Sequence, residues 1–372
     1  MTTPRRLAPV VKMIESCNLA CSYCYQEDLL GRRRVMSEAT LTRIVSELAR
    51  IRNGPLQILW FGGEPTLVGR RAFERAVDIA EAHLSAGGVR HAIQTNATLI
   101  DDAWAALLAR HRFTVTVSLD GFEALHDHHR KAPSGRGTHA DTMAGIAALK
   151  RAGITPRASC VLTPHALPHA EALVDWFAEA GVWEADFPPA GRFVGGRYEL
   201  LVTPEQYGEF MVRVFDRWLS LGRTDFRIRS LSGAVRGLSG RAPSYCKFEA
   251  SCSQYATFGY DGRVYPCDEF SGQPEYLLGD VLTQPLDEIL STPLAQTLHK
   301  TWTATPAACL SCEWVGVCRG GCPFERQMGG GADGRTVLCE GFKKVFTRVA
   351  GELGVKAAPR REAAEAYAST HR

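Results

Sequence analysis

The sequence predicts an α/β fold in which six consecutive βα units curl into a doubly wound sheet or a partial (β/α)6 TIM-like barrel, the latter being the preferred reading, followed by a smaller cysteine-rich domain. Three observations predict it. From about Pro9 to Leu221, short β-branched apolar runs alternate with longer segments of helical period. Near Ser230 that alternation stops and Gly, Pro and Cys become dense. Eight of the 12 cysteines then fall between Cys246 and Cys339, in a stretch too loop-rich to hold itself together without staples or metals.

In order, strands are expected at Val10–Ile14, Leu56–Phe61, His91–Gln94, Thr114–Leu119, Pro156–Leu162 and Trp183–Phe187. The helices between them are expected to begin near Ser37, Gly69, Asp101, Thr138, Pro168 and Pro204, several at a residue type that favours a helix start. Right-handed crossovers put the chemistry of such a chain at the carboxyl ends of its strands. The expected boundaries are a barrel over 1–229, the cysteine-rich domain over 230–350 and a tail over 351–372 that is a frayed helix or unstructured.

The 372 residues are 45% hydrophobic, 22% charged and 9% aromatic, enough to bury a large core. A net charge of +3, from 43 Lys and Arg against 40 Asp and Glu, argues against nucleic acid or an anionic membrane as partner. No apolar run approaches the ~18 residues of a membrane span, and the start lacks an apolar signal core. A cytoplasmic location is expected. Clustered cysteines in such a compartment read first as metal or redox ligands.

Cys17, Cys21 and Cys24 stand in a C-x3-C-x2-C spacing on the loop after the first strand. A four-iron cluster held by three thiolates leaves one iron open to an exogenous ligand, as a catalytic zinc with three protein ligands leaves a place for water. The plain alternative is three buried cysteines, or a zinc site completed by a distant residue.

With this loop the chain resembles the radical S-adenosylmethionine (SAM) superfamily. The resemblance implies that the open iron chelates the amino and carboxylate groups of SAM, and that one-electron reduction cleaves it to a 5′-deoxyadenosyl radical. Gly62-Gly63-Glu64-Pro65, after the second strand, looks like the family's GGEP motif, whose backbone and Glu contact the SAM amino group. By the same resemblance, Ser118 and Arg130 contact the SAM ribose and carboxylate, and Tyr23 lies near adenine. Gln94-Thr95-Asn96 also matches, and either bonds SAM or substrate or satisfies loop backbone. His126, His128 and His129 invite a metal reading, but read better as loop and helix-face residues.

The second array runs Cys246, Cys252, Cys267, then Cys309, Cys312, Cys318, Cys322 and Cys339. Two zinc sites would suit such spacings as well as two clusters. Joined to the upstream trio, the pattern is similar to the SPASM extension of radical SAM enzymes, with two auxiliary four-iron clusters. That likeness implies Cys246, Cys252, Cys267 and Cys322 for the first auxiliary cluster and Cys309, Cys312, Cys318 and Cys339 for the second. Three [4Fe-4S] clusters then account for 11 cysteines and leave Cys160, in a predicted strand, as a small core residue. Asp268, beside Cys267, matches the proposed general base of sulfatase-maturing relatives; Glu269 is a weaker candidate.

The resemblance implies a polypeptide substrate and an external electron donor of flavodoxin or ferredoxin type. The preferred reading is a maturase that installs a C–C, cyclophane or similar crosslink in a ribosomally made precursor peptide. The alternative is an anaerobic sulfatase-maturing enzyme that oxidises Cys or Ser to formylglycine. Phe61 stands where such relatives usually have Gln, and Gln26 where they usually have an aromatic residue. Arg32-Arg33-Arg34 is a candidate grip for an acidic leader, or simply a solvated face. An electron carrier or zinc-stabilised binding protein is the non-enzymatic reading, and it needs neither six βα units nor an open iron.

Overall fold

The computed structural model describes residues 7–26, 33–84, 88–191, 198–328 and 334–356. Its strands are β1 (Ala8–Ile14), β2 (Leu56–Gly62), β3 (Val89–Thr95), β4 (Thr114–Ser118), β5 (Arg157–Ser159), β6 (Glu184–Asp186), β7 (Arg227–Ile228), β8 (Tyr255–Phe258), β9 (Arg263–Tyr265) and β10 (Gly279–Asp280). The first five helices are α1 (Glu38–Ile51), α2 (Arg70–Leu84), α3 (Asp102–Arg110), α4 (Glu123–His129) and α5 (His139–Arg151). Six βα repeats follow one another along the chain as the periodicity predicts, so the α/β class holds. The chain divides into two compact units, one of 1–158 with 252–300 and one of 159–251 with 301–372.

In the first unit the strands are ordered β10-β9-β8-β1-β2-β3-β4. β1 lies between β2 and β8, parallel to both, and is buried from Pro9's neighbour Val10 to Ile14, as expected of a strand covered on both faces. β2, β3 and β4 continue the parallel ladder, whereas β8, β9 and β10 are antiparallel. Local chemistry sets the helix starts. Ser37 Oγ accepts the Thr40 amide at 3.0 Å and Asp101 Oδ1 accepts the Trp104 amide at 2.7 Å, each satisfying an otherwise orphaned donor. Beneath the sheet Phe73 packs against Trp60, Trp104 and Phe113 with ring centroids 5.3–5.7 Å apart. Trp60 Nε1 donates to His91 Nδ1 at 3.0 Å, which keeps both buried groups satisfied.

The helix α4, between β4 and α5, was not expected. α4 has no side-chain cap, and it is anchored instead by His126, which is fully buried. The Asp120 amide donates to His126 Nδ1 at 3.3 Å, so Nε2 carries the proton toward Thr138 Oγ1, also at 3.3 Å. Thr138 in turn donates to the Arg130 carbonyl at 2.7 Å. With both ring nitrogens engaged, His126 is a framework residue; His129 is buried and His128 exposed.

In the second unit β6 pairs with β7 in parallel. The expected strands Pro156–Leu162 and Trp183–Phe187 shorten to three residues each in β5 and β6. Pro188 and Pro189 explain the early end, since neither can donate to a ladder; beyond β5 a lone bridge joins Leu162 to Pro189. Pro168 likewise falls inside a 3-10 turn, Pro164–His169, and the helix proper runs Ala170–Ala180. The helix Pro204–Leu221 opens with a Thr203/Gln206 capping box and Pro at its first turn. It crosses the helix Cys339–Leu353 closely at Gly208 and Gly341, where a Cβ on Gly341 would stand 2.4 Å from the Pro204 carbonyl.

Candidate active site

The loop after β1 carries Cys17, Cys21 and Cys24, and none of the 12 cysteines forms a disulfide. The loop is tied down on both sides. Ala20 and Ser22 amides donate to the Lys131 and His129 carbonyls at 2.7 and 3.1 Å, and Ser22 Oγ meets His129 Nδ1 at 2.6 Å. The Leu19 amide lies 3.4 Å from Cys17 Sγ, and Asn96 Nδ2 lies 3.9 Å from it. Burial, then the Glu64 carboxylate, pushes the Cys17 thiol up to about 12, and burial pushes Cys21 up to about 11. Thiols that resist ionising alone but sit together fit a cationic iron centre, which reverses that cost. Among the described residues no three His, Cys, Asp or Glu side chains close on a single ion.

The Gly62-Gly63 turn packs directly on this loop. Gly62 has φ 141°, and a Cβ on Gly63 would lie 2.1 Å from the Ser16 carbonyl oxygen. Two backbone bonds make the contact, Gly63 N to Ile14 O at 3.0 Å and Glu64 N to Ser16 O at 2.8 Å. Glu64 is 1% exposed and accepts four donors: Thr66 N, Thr66 Oγ1, Thr95 Oγ1 and Asn96 N, at 2.6–3.0 Å. Burial still pushes its carboxyl upward. Three of those donors fall on Oε1, so Oε2 is where a ligand amine has room. Thr95 and Asn96 thus serve the loop: Asn96 also joins Asn18 at 2.9 Å and holds Thr98, leaving Gln94 to the strand.

Arg130 and Tyr23 are buried together, not solvated. Arg130 Nη1 donates to the Tyr23 hydroxyl at 2.7 Å, and that hydroxyl donates to Asp120 Oδ2. Among the described residues Arg130 Nε meets no acceptor, which fits an anionic ligand such as the SAM carboxylate. Ser118 ends β4 and is half-buried.

A second constellation lies beside Cys267. Asp268 opens the 3-10 turn Asp268–Phe270 and has 20% side-chain exposure; Glu269 is exposed. Lys12 Nζ, from the middle of β1, lies 3.1 Å from Asp268 Oδ1, and the Tyr25 hydroxyl donates to Oδ2. Gln26 Nε2 donates to the Tyr25 hydroxyl at 2.8 Å. The ammonium of Lys12 also sits 5.9 Å from both the Tyr25 and the Phe61 ring centroids, within cation–π range. Sequence reasoning missed Lys12 and Tyr25. The available signal was the lone charge in the apolar run Val10-Val11-Lys12-Met13-Ile14.

In the second unit Cys309, Cys312, Cys318 and Cys339 line one cavity, together with Trp314, Phe342 and Phe346. Burial and the neighbouring thiols push Cys318, Cys309 and Cys339 upward, the same signature as in the first loop. Cys246 and Cys322 belong to this unit near the buried Lys247–Glu325 pair, whereas Cys252 and Cys267 belong to the first. Cys160 is fully buried. Arg34 pairs with Glu15 at 3.7 Å and meets Tyr260, Arg33 is exposed, and Arg32 lies outside the described residues. No described helix is long and apolar enough to cross a membrane.

Residues 11–173 match the radical SAM superfamily and residues 246–313 match the iron–sulfur cluster-binding SPASM domain. A chain with both, whose thiols gather as described, is a radical SAM enzyme, and its cofactors are four-iron clusters and SAM. It is homologous along nearly its whole length to the anaerobic sulfatase-maturing enzymes. The serine-type enzyme of Bacteroides thetaiotaomicron is 27% identical over 361 residues, covering 90% of this chain and 87% of that one. Native anSMEcpe with bound AdoMet and the Cp18Cys peptide superposes with a TM-score of 0.82 at 25% identity, covering 93% and 97% of the two chains. Streptococcus suis SuiB bound to precursor peptide SuiA shares the fold, with a TM-score of 0.65 at 19% identity over 90% and 75%.

Proposed function

We propose that this enzyme oxidises a Cys or Ser side chain of a polypeptide to formylglycine, as an anaerobic sulfatase-maturing enzyme. The observation that carries the reading is Asp268, a carboxylate beside Cys267 in the same compact unit as the Cys17, Cys21 and Cys24 loop. The near full-length likeness to sulfatase-maturing relatives supports it over the crosslinking reading preferred from sequence. Cys17, Cys21 and Cys24 would hold the cluster that, with SAM, supplies hydrogen abstraction when bound. Arg130 would hold the SAM carboxylate through its open Nε, with Oε2 of Glu64 and the Gly62-Gly63 backbone at the amine, Tyr23 near adenine and Ser118 near the ribose. The substrate carbon would lose a hydrogen atom to the SAM-derived radical and a second electron to an auxiliary cluster held by the SPASM cysteines, while Asp268 would take the proton from the substrate thiol or hydroxyl. With a Cys substrate, water would then replace the sulfur, which leaves as hydrogen sulfide. The core would span 1–229 and the SPASM domain 230–350, and within the second unit Cys309, Cys312, Cys318 and Cys339 would hold one auxiliary cluster. Residues 357–372 of the tail lie outside the described residues.

Crosslinking of a precursor peptide is the second reading, favoured by Phe61 and Gln26 at positions where sulfatase-maturing relatives usually differ. One assay separates the two. Reconstituted enzyme is incubated anaerobically with SAM, a reductant and a synthetic peptide carrying a sulfatase Cys or Ser motif. Mass spectrometry should find 5′-deoxyadenosine and a hydrazine-trappable aldehyde. Deoxyadenosine with an untouched peptide would refute the sulfatase reading and favour the second.

A further inference from the structure

We infer that Lys12 is a positioning residue for the oxidation step: its buried ammonium holds the Asp268 carboxylate in a fixed orientation. The inference rests on the reading of Asp268 as the base. Lys12 is 3% exposed in the middle of a strand whose neighbours Val11 and Met13 are 0% and 4% exposed. Packing alone would be met there by a methionine of similar volume, without the desolvation of an ammonium. A charge retained at that position has something to hold.

The geometry shows what. Lys12 Nζ forms an ion pair at 3.1 Å with one carboxylate oxygen of Asp268, which has no hydrogen-bond donor of its own among the described residues, and the Tyr25 hydroxyl donates to the other, so rotation of the carboxylate disturbs one contact or both. The ammonium is itself confined, with the Tyr25 and Phe61 rings each 5.9 Å away. Gln26 fixes the Tyr25 hydroxyl from its far side at 2.8 Å. Phe61 and Gln26, the two departures from the sulfatase-maturing pattern, therefore both belong to this one array. Phe61 supplies the second ring face to the cation, and Gln26 the amide to the hydroxyl.

The test compares holoenzyme carrying Lys12→Met, Lys12→Arg or Asp268→Asn with wild type. Two readouts are taken. The first is spectroscopic and needs no substrate: the infrared carboxylate band of Asp268, assigned by the wild-type minus Asp268→Asn difference. It should shift in Lys12→Met and move back toward its wild-type position in Lys12→Arg. The second uses the synthetic Cys or Ser peptide. Lys12→Met should lower kcat for peptide oxidation about 100-fold, the scale of a misplacement near 1 Å, with KM and iron content within about twofold. Lys12→Arg should recover at least a tenfold part of that loss. An unmoved band overturns the proposal, whatever the substrate proves to be. So does a Lys12→Met enzyme that oxidises the peptide at the wild-type rate, or one that fails through KM or iron content. If Asp268→Asn itself oxidises the peptide normally, the base assignment falls first. If Asp268→Asn fails and Lys12→Met does not, the Lys12 proposal alone falls.

Discussion

Replacing Gly63 by alanine tests how tightly the Gly-Gly turn sets the cysteine loop. The added Cβ would lie 2.1 Å from the Ser16 carbonyl oxygen and 2.5 Å from its carbon. Real contacts of this kind do not fall below 3.0 Å, so the two backbones must part by at least about 0.9 Å. That separation would stretch the 2.8 Å bond from Glu64 N to Ser16 O beyond hydrogen-bond range and weaken the 3.0 Å bond from Gly63 N to Ile14 O. Two bonds at about 1 kcal/mol each, with overpacking of about 1–3 kcal/mol, give a loss of about 3–5 kcal/mol. Ser16 directly precedes Cys17, so the displacement reaches a cluster ligand. A shift near 1 Å there should lower SAM cleavage about 100-fold. The assay is anaerobic 5′-deoxyadenosine formation by reconstituted enzyme, with iron content and the urea midpoint measured in parallel. Gly69→Ala is the control: at φ 87° and ψ 147° it lies near a region that essentially only glycine adopts, which imposes about 1–3 kcal/mol of backbone strain, but no atom lies within 4 Å of the new Cβ. A Gly63→Ala enzyme that cleaves SAM within a few-fold of wild type, with an unchanged midpoint, would refute the steric reasoning.

Further outcomes follow from other parts of the molecule. Burial, with Arg130 and His139 alongside, pushes His126 down to about 2 from its ordinary 6.5. The unfolded chain therefore binds that proton first, and the stability His126 contributes is complete above about pH 6.5 and declines as the pH falls toward 2. The urea midpoint should drop between pH 7.5 and 5.5, and His126→Gln should make the drop shallower; an equal slope contradicts the buried neutral ring. Cys160→Ala should keep all its iron and lose about 1–2 kcal/mol of stability, whereas Cys318→Ala should lose roughly a third of the iron, one cluster of three. Iron analysis checks both, and iron loss in Cys160→Ala breaks the cysteine assignment. Gly341→Ala puts a Cβ 2.4 Å from the Pro204 carbonyl, so the crossing of the two helices should open at about 2–3 kcal/mol. A wild-type urea midpoint would show that the helices yield without strain.

The parallel core was legible because its code is local. Ser37, Asp101 and Pro204 mark helix starts by satisfying or lacking a nearby amide, and the runs from Val10 to Ile14 and Leu56 to Phe61 are apolar over strand length. What escaped was decided at a distance. β8 pairs with β1 across most of the chain, and nothing in Tyr255–Phe258 announces that partner. α4 forms around a histidine whose hydrogen-bond partners, Asp120 and Thr138, lie outside the helix itself. The cysteine loop was legible as a spacing, but the burial of Arg130 and Tyr23 was not, because a charged residue reads as surface until its partners are known. Lys12 stood out as a lone charge in an apolar run, but its meaning is carried by Asp268, far along the sequence.

The interruption of the first unit has a consequence during synthesis. β1 leaves the ribosome well before its neighbour β8, which follows about 250 residues later, as the pairing of Ala8 with Tyr255 shows. At 5–20 residues per second the nascent chain waits roughly 10–50 s with one edge of β1 unpaired. A bare apolar strand edge over that interval is a template for wrong partners, so chaperone demand and slow translation should govern the yield of this protein more than its final stability does. The Cys17, Cys21 and Cys24 loop is under no such delay, since its three thiols lie within eight residues and emerge together.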